Sequence, residues 1–103
     1  MIRVSVFYPN GSKVKFDHEY YAGQHLDLVK DRLGSKLVSS ESNKGLGGGI
    51  PGSPAPFVAV GHLVFNSMED FQSAFGQHGQ ELMGDIPNFT NVEPQVQVSE
   101  ITS

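Results

Sequence analysis

The sequence predicts one α+β domain spanning residues 1–103, with the element order β-α-β-β-α-β and two helices on one face of a four-stranded antiparallel sheet. Three observations carry this expectation. Apolar residues alternate with a period of two near residues 2–8, 57–65 and 95–100. Two intervening segments follow helical spacing instead, and Gly- and Pro-rich breaks punctuate the chain. At 103 residues and 38% hydrophobic content the chain has the size and composition of one folded domain.

Ile2, Val4, Val6 and Tyr8 alternate with Arg3, Ser5 and Phe7 as a first strand, which Pro9-Asn10-Gly11 stops. A helix follows over about residues 17 to 33. Asp17 serves as its cap, Glu19 suits its positive end, and Gly34 is its stop signal. At 100° per residue Tyr21, Ala22, His25, Leu28, Val29 and Leu33 share one side of it. Residues 36–41 read as a weaker strand, and GLGGGIPGSPAP as a loop without regular structure.

FVAVGHLVF, residues 57–65, sets Phe57, Ala59, Gly61, Leu63 and Phe65 against Val58, Val60, His62 and Val64, so both faces of this strand are apolar. Ser67 opens a second helix with Glu69 and Asp70 in its first turn and Met68, Phe71, Ala74, Phe75 and His78 on its stripe. The expectation ends that helix near Gly79, leaves QELMGDIPNFTN irregular, and closes with a strand carrying Val96 and Val98. This is the ferredoxin-like order. Helices cover one sheet face, and the apolar residues on the other predict pairing with a second copy, a homodimer.

A net charge of −4 removes the electrostatic basis of nucleic-acid binding. No stretch reads as a signal peptide or a membrane span, and the absence of cysteine suits a reducing compartment, so the expectation is a cytoplasmic protein that binds neither nucleic acid nor membrane. For the same reason the sequon Asn88-Phe89-Thr90 is discounted. Gly47 to Gly52 matches G-x-G-x-x-G, yet Pro51, Pro54 and Pro56 forbid the helix that a dinucleotide fingerprint requires. Four histidines, His18, His25, His62 and His78, form no recognised metal-ligand spacing, so no metal or cofactor is expected. His18 and His78 sit at ordinary helix-end positions, and His62 reads as a core or interface histidine. His25 stands out because Tyr21 precedes it by four residues on the same apolar side.

The segments IRVSVFYP, FDHEYYAGQHLDLVKDRLG, FVAVGHLVFNSMEDFQSAF and DIPNFTNVEPQVQVSEI together resemble the EthD family, named for a protein of ethyl tert-butyl ether degradation, within the dimeric α+β barrel superfamily. The resemblance covers nearly the whole chain and is most specific in DIPNFTNVEPQVQVSEI. It implies a homodimer of ferredoxin-like protomers, packed sheet against sheet, with a small apolar cavity between sheet and helices. His25 and Tyr21 match the family's histidine and tyrosine, and Asp85 matches the aspartate that opens its DIPNFT segment. Asp27 stands where many relatives have proline.

The resemblance thus implies a protein that handles an apolar oxygenated compound in ether or aromatic degradation, with His25 as acid or base, Tyr21 orienting the substrate oxygen and Asp85 as third site residue. A cofactor-free isomerase, dehydratase or oxygenase-associated enzyme fits this reading. Two alternatives stand beside it: a non-catalytic accessory that binds an intermediate or a monooxygenase component, and a haem-binding barrel using His25 as ligand.

Overall fold

The computed structural model describes residues 1–103. Strands β1 (Ile2–Pro9), β2 (Leu37–Lys44), β3 (Phe57–Phe65) and β4 (Gln95–Glu100) form one sheet in the order β2-β3-β1-β4, antiparallel at every pairing. Helix α1 occupies residues 18–33, helix α2 spans Met68–Gly84, and a single 3₁₀ turn, Ile86–Asn88, follows. The sequence expectation holds in class and element order.

The alternation of β1 decides which residues meet the helices. Ile2, Val4 and Tyr8 are buried on the helix side, level with Phe65, Leu63 and Ala59 of β3. They join two clusters along the sheet. One is mainly aliphatic: Ile2, Val4, Leu63 and Phe65 from the sheet, Leu26, Val29 and Leu33 from α1, Ala74 and Leu82 from α2. The other is aromatic, built on Tyr8, Tyr21, Ala59, Ile86 and Phe89, with Phe16, Tyr20 and Val58 against it.

Four details depart from the sequence reading. Helix α2 runs past Gly79 to Gly84. Gly79 is buried and a side chain there would meet the Phe75 ring at 3.2 Å, so this glycine answers a packing demand and does not stop the helix. Strand β2 extends to Lys44 because its pairing with β3 continues to Ala59. A bulge between Tyr8 and Pro9 shifts the alternation of β3: Phe57 packs on Phe7, ring centroids 5.0 Å apart, while Val58 joins the aromatic cluster.

The fourth departure is in α1, which is not uniform. An α-helical turn, His18–Tyr20, passes into a π-turn, Tyr21–His25, and then into an α-helical segment, Leu26–Leu33. The backbone N–H of Leu26 reaches the Tyr21 carbonyl, five residues back. Consecutive residues His25 and Leu26 are consequently both buried, whereas Ala22, expected on the apolar side, is exposed. The ends behave as the sequence suggests: the Asp17 carboxylate accepts from the Tyr20 N–H at 3.0 Å, and Gly34 closes the helix at φ +58°.

Candidate functional site

The site lies where α1, the segment after α2 and the aromatic end of the sheet converge. Two chain segments remote in sequence are stitched together there. The Asp17 N–H donates to the Phe89 carbonyl at 2.8 Å, Phe16 bridges to Thr90, and the Thr90 hydroxyl donates to the Lys15 carbonyl at 2.7 Å. This stitching fixes the DIPNFT segment against the start of α1 and carries Asp85 to His25.

His25 Nδ1 and Asp85 Oδ2 lie 2.9 Å apart, with only 8% and 12% of their side-chain surfaces exposed. The other carboxylate oxygen accepts the Tyr20 hydroxyl at 2.7 Å and the Asn88 amide at 2.9 Å. Burial opposes charge on Asp85, but the bonds from Asn88, His25 and Tyr20 outweigh it and hold its carboxyl below the usual range. An ionised carboxylate only accepts, so His25 Nδ1 must carry the proton of this bond, and in the neutral imidazole Nε2 presents its lone pair. Nε2 has no partner in the protein, yet no fully buried side-chain polar atom goes unpaired, so Nε2 faces accessible space.

His25 also lines a cavity of about 40 Å³ between sheet and helices, whose other nine lining residues are apolar or aromatic. Ring contacts fix the imidazole beside it. Tyr21 stacks on His25 at 5.5 Å with 20° between planes, and Phe89 closes from another side at 4.8 Å. The Tyr8 ring meets Tyr21 edge-on at 5.4 Å. Burial pushes the Tyr21 phenol up to about 12 and that of Tyr8 higher still, so both stay protonated at neutral pH.

The three residues singled out in the sequence thus gather in one place, with different parts. His25 and Asp85 are directly bonded, while Tyr21 supports the imidazole by stacking and does not itself line the cavity; Tyr8 does. Tyr20 and Asn88 escaped the sequence reading. Asn88 sits three residues from Asp85, a spacing a turn brings together, but nothing in the sequence links Tyr20 to an aspartate 65 residues away.

The remaining histidines lie apart from this site. His18 packs on the Phe16 ring at 4.7 Å, and His78 is part of α2. His62 shares a 2.9 Å hydrogen bond with Ser5 on the open sheet face, where burial first and Arg3 second lower its pKa against the opposing pull of Glu41. The cavity beside His25 does not fit a haem: ligand sites of molecular size run to about 300–1,000 Å³, and this one holds about 40 Å³. No helix is long and apolar enough to cross a membrane.

A four-stranded antiparallel sheet backed by two helices, in the order β-α-β-β-α-β, defines the class: an α+β protein of ferredoxin-like arrangement, with a histidine–carboxylate pair beside an apolar cavity. The family is equally definite. The EthD domain matches residues 11–93, and the chain belongs to the EthD family. An EthD-like protein from Ralstonia eutropha JMP134 is 41% identical, with a TM-score of 0.93 over 99% of this chain and 92% of that one. An EthD family protein from Bacillus halodurans C-125 is 15% identical, with a TM-score of 0.68 over 99% of both chains. A proposed monooxygenase from Shewanella loihica PV-4 shares the fold at 15% identity, with a TM-score of 0.57 over 100% of this chain and 98% of that one. No curated protein matches the sequence.

Proposed function

We propose that the protein binds a small oxygenated compound in the cavity between sheet and helices and moves a proton on it through His25 Nε2. The observation carrying this reading is the 2.9 Å bond between His25 Nδ1 and a buried carboxylate, at the wall of an otherwise apolar cavity. Asp85 fixes the tautomer and steadies the imidazolium that forms when Nε2 takes a proton; Tyr21 and Phe89 hold the ring. With membership in a family named for ether degradation, the setting we propose is the cytoplasmic breakdown of ethers or aromatic compounds. His25→Ala should leave a folded protein whose turnover of a matched substrate falls about 100-fold or more, the scale of general acid–base catalysis. Product analysis with purified protein, ethers and phenols separates this reading from the accessory one: binding without turnover supports an accessory to a monooxygenase.

The working unit in this proposal is a homodimer. The open sheet face carries the half-buried Phe7, Phe57 and Val60 with no helix over it, and apolar surface of this kind calls for a cover. Sedimentation at micromolar concentration should give twice the 11.2 kDa chain mass. Val60→Asp should shift the protein to monomer, and a wild-type monomer would overturn this part of the reading.

A further inference from the structure

The cavity beside His25 raises a problem of size. At about 40 Å³ it accepts a head group of a few heavy atoms and nothing larger. Immediately outside it lies an open groove of about 360 Å³, walled by the 3₁₀ turn after α2 and the chain leading into β4, with Pro87, Thr90, Val92 and Pro94 along it. Only two residues line both spaces, Met83 and Ile86. They are the partition.

The two differ in freedom. Ile86 is 8% exposed, stiff at its branched Cβ, and fixed between Asp85 and Pro87 in the 3₁₀ turn. Met83 is 45% exposed, next to the last residue of α2, and its unbranched thioether rotates at little cost. Charge narrows the ligand further: Glu93 is the only carboxylate on the groove, and no lysine or arginine lines either space, so no permanent positive charge favours an anion.

Building on the His25 reading, we infer that Met83 is a gate hinged against the fixed post of Ile86, joining groove and cavity for a neutral ligand in two parts. A compact hydroxyl- or carbonyl-bearing head sits against His25 Nε2, and an apolar body of several carbons lies out along the groove. Met83 therefore determines which lengths of ligand are admitted. It touches the body and not the reacting atoms, so it sets specificity and takes no part in proton transfer.

The probes are 2-propanol, a head alone, and 2-octanol, a head with a body, followed by NMR on labelled His25 and on Val92 methyls. In the wild type both compounds should move the His25 ring signals, and only 2-octanol should move Val92. Met83→Ala, at a half-exposed position that leaves the fold intact, should speed 2-octanol association about tenfold. Met83→Trp should abolish the effect of 2-octanol on His25 while circular dichroism stays unchanged. If 2-octanol binds His25 alike in all three proteins, the gate is wrong and the His25 site stands. If neither alcohol reaches His25 in any of them, the reading of the site fails, and the gate with it.

Discussion

The two clusters on the helix side of the sheet are built to different specifications. The aliphatic cluster contains no polar side chain and could exchange one branched residue for another with little change of character. The aromatic cluster is a set of rings in fixed tilts: Tyr8 touches Phe16, Tyr21 and Phe89 edge-on, and Tyr21 lies flat on His25. Rings with directional contacts tolerate fewer arrangements than aliphatic chains, and this rigidity holds an imidazole to one orientation beside a carboxylate. One end of the sheet supplies stability, and the other spends packing freedom on geometry.

Substitutions should separate the two ends. Phe65→Ala in the aliphatic cluster, at a fully buried ring, should cost about 3–5 kcal/mol in chemical denaturation, with ligand affinity of the surviving folded fraction unchanged. Gly61→Ala tests the aromatic end. The added Cβ would stand 1.9 Å from the Tyr21 hydroxyl, an overpacking worth about 1–3 kcal/mol. Tyr21→Phe in the same chain should recover part of that loss by removing the clashing oxygen. If it recovers nothing, the close approach of Tyr21 to β3 is not what constrains position 61.

His25→Ala should cost about 1–2 kcal/mol, since Asp85 keeps two of its three donors, but it should weaken 2-octanol binding tenfold or more. A large fall in thermal midpoint with unchanged binding would make His25 a stability residue like those of the other cluster. Tyr20→Phe should change stability less than His25→Ala, and its readout is the His25 ring signal, which moves only if Tyr20 helps to place Asp85. The smallest effect is an acid limb. Because the folded pKa of Asp85 lies below its ordinary 3.8, its stabilisation is present above that value and fades as pH falls through the folded pKa. Asp85→Asn should flatten that limb in pH-dependent unfolding, whereas Phe65→Ala should leave it in place.

The same contrast governs what the sequence disclosed. Strands and aliphatic positions were legible because alternation and helical spacing are local, as Ile2, Val4, Val29 and Leu33 illustrate. Asp17 and Gly34 marked the ends of α1 by chemistry visible within four residues. The site was only half legible. His25 and Tyr21 stood out by spacing and Asp85 through family resemblance, but their bonding depends on contacts 60 and 65 residues apart that no local pattern encodes. Gly79 misled for a related reason: whether a glycine ends a helix or makes room for Phe75 is decided by a neighbouring ring.

The π-turn at Tyr21–His25 has a consequence for how this chain can change. It amounts to one residue more than an uninterrupted α-helix would need, so the stretch before it and the stretch after it are out of phase by about 100°. Deleting Ala22 would give a more regular helix and a shorter protein, with every remaining residue type retained. It would also swing residues 18–20 about a third of a turn relative to Leu26–Leu33, taking the Tyr20 hydroxyl away from Asp85. In this segment a change of length is costlier than most changes of letter, and the count of residues between Asp17 and His25 is itself inherited information.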